Sequence, residues 1–217
     1  MAEQPTIVVR GEALREVPPE QAVLTVTTSA RDGDRDAVLA RMAERTTELR
    51  AVVDAYGDAV ERRETGSVQV YPELKRGSEK VVAYTGSVVT TVTVTGFDDL
   101  GELLVRLAGL DYAAVSGPWW RLRPGSRAGA EVGKAAIDDA LRRAREYAEA
   151  VGARVDRLVE IADEGTGGAR PVAMRAAAAF SVQENAAPVL EVDPQPQIVQ
   201  SSVLVRVTIT EPDLLRD

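Results

Sequence analysis

The chain contains no cysteine and no histidine. Without cysteine there is no disulfide, no thiolate nucleophile and no sulfur ligand for a structural metal. Without histidine there is no Ser-His-Asp triad, and the side chain best suited to moving protons near neutral pH is missing. Aromatic residues are also scarce, at 4% of 217 residues, and only three of the 26 basic residues are lysine, a coding bias rather than a function. No stretch approaches the roughly 20 apolar residues that span a bilayer. The opening MAEQPTIVVRGEA has neither a basic leader nor an apolar signal core, so a cytoplasmic location is the expectation. Acidic residues outnumber basic ones, 34 to 26, for a net charge of −8. A surface of that sign argues against nucleic acid or an anionic membrane as partner.

What is present is a foldable composition, with 45% apolar and 28% charged residues. Ile7-Val8-Val9, ending at Gly11, reads as a short strand and a turn. Residues 22–30, AVLTVTTSA, alternate as a strand should. Asp34 stands where it can cap a helix over 35–56, closed by Gly57. Residues 65–74 and 81–95 form a long antiparallel hairpin across the charged KRGSEK turn, with Gly86 expected to mark a bulge. A short helix is expected over 99–108, with Asp98 as its cap. Residues 112–122 read as a strand in which Pro118 either confines the strand to an edge or marks a bend. A second long helix is expected over 130–151, with Ile137, Ala140, Ala144, Tyr147 and Ala148 on its inner face, followed by strands at 153–162 and 198–210. Helices and hairpins in this mixture give an α+β class: antiparallel sheets with a long central hairpin and two long helices packed on them. One domain over 1–217 is expected, divisible into α+β lobes of about 1–96 and 97–217, with 163–197 a long irregular loop.

Few residues carry chemistry. GTGGAR at 165–170 lacks the Lys-Ser/Thr ending of a phosphate loop. Asp98-Asp99 and Asp138-Asp139 fall on helices, where capping and pairing with Arg142 and Arg143 account for them, and Asp163-Glu164 lacks the spacing of a metal loop. No catalytic, cofactor-binding or metal-ligating set is assigned, and no cofactor is expected. Trp119-Trp120 stands out, because neighbours on a strand face opposite ways: one belongs to a core, the other to a contact. In 163–197 the large apolar side chains Met174 and Phe180 have too few companions to fold on one subunit. Trp119, Trp120, Met174 and Phe180 are therefore the candidate self-association residues.

Taken in order, these segments resemble the SIMPL-domain family, a bacterial domain of unknown function. IVVRGEALREVPPEQAVLTVTTSARDGDRDAVLARMAE is similar to the family's opening strand, Pro-Glu-x-Ala bend, strand and helix. RETGSVQVYPEL followed by VVAYTGSVVTTVTV resembles its central hairpin, and KAAIDDALRRAREYAEAVGARVDRLVEIAD its Ala-rich helix, Gly and strand. The likeness covers about residues 6–210. It departs at the last strand, where the family's Pro-Ile-x-x-Gly step stands as Pro194-Gln195-Pro196-Gln197. The resemblance implies no established catalytic residues, and it implies oligomeric assembly. Relatives are often exported, and some are labelled oxidative-stress defence proteins or immunogens. The expected function is thus a non-enzymatic, self-assembling scaffold, a homo-oligomer tied to stress or the envelope. The alternatives are a peptide or small-molecule binding module using an exposed strand edge, and then a carboxylate-dependent hydrolase.

Overall fold

A computed structural model describes residues 4–171 and 190–213, with the backbone alone at 166–171. Among the described residues seven strands and three α-helices are formed: β1 (Thr6–Val17), β2 (Gln21–Asp32), α1 (Arg35–Asp54), β3 (Val60–Leu74), β4 (Val81–Val94), α2 (Leu100–Ala108), β5 (Ala113–Arg121), α3 (Arg127–Ala150), β6 (Val155–Pro171) and β7 (Gln197–Ile209). They make two antiparallel sheets, ordered β1-β7-β6 and β3-β4-β2-β5, so the class is α+β.

The contacts divide the described residues into two compact units that interleave in sequence. One holds residues 4–18, 122–171 and 195–213; the other holds 19–121 and 190–194. The position near residue 96 where sequence suggests a division falls inside the second unit, between β4 and α2. Of the expected irregular loop, residues 163–171 belong to β6, and 172–189 lie outside the described residues.

In the first unit α3 packs on β1 and β7. Its buried residues are Val132, Ala136, Ala140, Ala144 and Ala148, spaced four apart, against Val9, Val203, Val205, Val207 and Ile209. Alanine at each step lets the helix axis come close to the sheet, and Gly11 permits the closest approach. A Cβ there would stand 2.1 Å from the Ala136 carbonyl oxygen. Gly11 is therefore inside β1 rather than at its end, paired with Val203. Tyr147, expected inward, is 48% exposed, because the four-residue spacing carries the contact along Ala144 and Ala148 instead.

In the second unit α1 and α2 cover one face of the four-stranded sheet. Leu24, Val26, Leu49, Val53, Val92, Leu103, Leu107 and Trp120 form the larger core, with Val38, Met42, Ala30 and Val88 beside it. Asp34 caps α1, its Oδ1 accepting the Asp36 and Ala37 N–H groups at 2.6 and 3.2 Å. At α2 the cap position is Asp99, not Asp98, and its side chain makes no capping bond. Gly86 is no bulge. Its register with Ala30 and Val70 is unbroken, and the glycine makes room for Met42, whose Sδ a Cβ would meet at 2.1 Å.

Candidate functional site

The two tryptophans take opposite faces, as strand alternation requires. Trp120 pairs with Ala22, is 7% exposed, and meets Phe97 edge-on with ring centroids 5.0 Å apart. It is core and presents no contact surface. Trp119 pairs with Val23 on the face away from α1 and α2 and is 45% exposed. Strand β5, which carries it, is an edge strand, and its register slips at Val23/Thr25 beside Gly117 (φ 109°) and Pro118. Met174 and Phe180 lie outside the described residues.

The strand edges differ in how well they are blunted. The β6 register with β7 shifts four times between Val155 and Pro171, and such irregularity resists strand addition. On β3 the register runs without a shift from Ser67 to Glu73. This stretch exposes Val68 (59%) and Tyr71, the last residue of the strand, Leu74, is exposed as well, and Val81 and Val82 stand exposed across the hairpin. Its outer edge pairs with no other strand among the described residues.

The charged groups near these edges are engaged with one another. Glu73 accepts from the Arg31 guanidinium at 2.7–3.0 Å and from the Thr85 hydroxyl, joining β3, β2 and β4. The arginine hydrogen bonds, then that of Thr85, hold its carboxyl down at about 2. Asp139 accepts the Glu12 N–H at 3.2 Å and pairs with Arg142, and that backbone bond is the main reason its carboxyl lies below the ordinary range. Tyr112 hydrogen-bonds to Glu48 under the Arg45 guanidinium, 4.7 Å from the ring centroid. Burial first, then Glu48, pushes its hydroxyl up to about 12. Arg63 pairs with Asp54 and Arg62 with Glu64, and among the described residues no three acidic groups converge as a metal cage would require.

α3 lies over β1 and β7 and barely reaches β6. A groove of about 450 Å³ runs along the first turns of the helix, lined by Gly133, Ile137, Ile161, Asp163, Ser201 and Val203. Gly133 reads in sequence as an ordinary small helical residue and Ser201 as a strand serine. Their meeting is set by the placement of α3 on the sheet.

Two antiparallel sheets, each backed by helices on one face, with long edge strands and an open groove, define an α+β protein of two sheet-and-helix units. The chain belongs to the SIMPL family, whose model, described as a protein of unknown function (DUF541), matches residues 7–208. No curated protein matches the chain.

Proposed function

We propose that the protein is a non-enzymatic scaffold that assembles with copies of itself through strand edges. The observation that carries this reading is β3, a 15-residue edge strand whose regular stretch exposes Val68 and Tyr71, with Leu74 exposed at its end. A shift-free stretch on an edge strand, Ser67 to Glu73 here, offers unpaired N–H and C=O groups to a second strand, and apolar side chains to cover the joint. Trp119, exposed on the other edge strand of the same sheet, is a second apolar contact of the kind favoured at interfaces. A non-enzymatic role fits a chain with neither histidine nor cysteine, whose Asp139 is held by a backbone N–H and an arginine.

Light scattering on a sizing column tests the reading. The expected mass is two or more times that of the 23.2 kDa chain. Val68→Lys, which puts a charge on the edge, should lower that mass and leave the far-UV circular dichroism unchanged. A wild-type protein that stays at 23.2 kDa at every concentration would sink the proposal.

A further inference from the structure

The groove beside α3 combines three chemical elements. Its walls are aliphatic, from Ile137, Ile161 and Val203. Ile161 is 44% exposed although it stands opposite the buried Val205, because α3 does not extend over β6. The second element is a carboxylate. Asp163 pairs with Val203 and so shares the helix-side face; its Oδ1 accepts the Gly165 N–H at 2.8 Å, and Oδ2 has no partner among the described residues. The third is a hydroxyl. Ser201 is 2% exposed and lies two residues before Val203 on the same face; an added Cβ at Gly133 would stand 3.8 Å from its Oγ. That side chain makes no hydrogen bond among the described residues, yet no sealed side-chain oxygen there lacks a partner. Its residual exposure is therefore at the hydroxyl, which opens on the groove.

A hydroxyl that opens on the groove is free to accept from a ligand, and a carboxylate beside aliphatic walls selects for charge. The volume, about 450 Å³, falls within the roughly 300–1,000 Å³ of small-molecule sites. An ammonium group offers three donors and no acceptor, which matches two oxygen acceptors and a negative charge. We propose that this groove binds a small aliphatic primary ammonium ion, its head on Asp163 and Ser201 and its alkyl body between Ile137, Ile161 and Val203. Gly133 keeps the floor low enough for the chain to lie along α3. This site does not depend on assembly through β3, which belongs to the other unit.

The test uses three six-carbon probes at neutral pH, hexylammonium, hexanol and hexanoate, with amide chemical shifts of the full chain as readout. Hexylammonium should shift the Gly133, Ile161 and Ser201 signals saturably, hexanol should bind about tenfold more weakly or worse, and hexanoate should leave them unmoved. Asp163→Asn, at an exposed position, should reduce hexylammonium binding to the level of hexanol. Gly133→Leu should block both probes while the circular dichroism stays that of wild type. Equal binding of hexanoate, wild-type affinity in Asp163→Asn, or no saturable shift at these signals would each overturn the proposal. If hexylammonium fails to bind while Gly133→Leu changes the light-scattering mass, the groove is a contact between copies and the ligand assignment is wrong.

Discussion

Single atoms decide much at Gly11 and Glu73. A methyl group at Gly11 would meet the Ala136 carbonyl oxygen at 2.1 Å and the Ala140 nitrogen at 2.5 Å. Both are helix backbone and cannot swing aside, so α3 must lift. Gly11→Ala should cost roughly 1–3 kcal/mol by overpacking, measured in urea. The comparison is Gly129→Ala, where nothing lies within 4 Å, and alanine in the first turn of α3 should be neutral or mildly stabilising. A Gly11→Ala protein as stable as wild type would contradict the close approach. Glu73 gives a prediction in pH. Its carboxyl is held at about 2 against an ordinary 4.5, so the folded state favours its charged form. Any stability it contributes is complete above 4.5 and is lost as pH falls through about 2. Glu73 is a surface group, so the direct readout is its side-chain carbon signal by NMR. The titration midpoint should lie near 2 in wild type and move toward 4.5 in Arg31→Gln. An unmoved midpoint would remove Arg31 as the cause.

At the level of elements, α3 and α1 show two ways of seating a helix. α1 uses large side chains, Val38, Met42, Leu49 and Val53, and the sheet accommodates one of them with Gly86. α3 uses small ones and comes closer. Ala144 is fully buried and Ala150 exposed. Ala144→Leu should therefore lose roughly 1–3 kcal/mol, while Ala150→Leu should be nearly silent. Equal melting temperatures for the two variants would refute the seating of α3. The cap of α1 is a separate local contribution. Asp34→Ala removes an acceptor for two N–H groups and should cost about 1 kcal/mol, read from thermal unfolding. No change would mean that the end of α1 is held by other groups.

For the whole molecule, sheet order gives a pattern of amide exchange. β7 is central in one sheet, and β2 and β4 in the other. Val203–Val207, Leu24–Val26 and Val92–Val94 should exchange slowest, and the edge strands β1, β3, β5 and β6 faster. If copies join through β3, exchange over Ser67–Glu73 should slow as protein concentration rises, while β6 stays unchanged. Concentration-independent exchange at β3 would count against that edge. Such patterns were partly readable in advance. The alternation of residues 22–30 and 81–95 placed two central strands, since a sheet with one covered face forces a period of two. The Asp34 cap and the Gly57 and Gly152 terminators, at φ 48° and 71°, followed from local backbone chemistry alone. Strand length was harder to read. Thr6–Val17 runs through a glycine, and β6 runs on to Pro171 through Gly-rich sequence, because pairing with β7 supplies hydrogen bonds that composition does not display.

The α+β class and the opposite facing of Trp119 and Trp120 were already legible in the chain, because they rest on local periodicity and residue type, and the family likeness was legible in the order of its motifs. Which tryptophan is core, why Gly11 and Gly86 are glycine, how the two units share the chain, and that Gly133, Asp163 and Ser201 line one groove came from the packed fold. These depend on where α3 and α1 settle on their sheets. That placement is fixed by contacts between residues far apart in sequence, which no local pattern records.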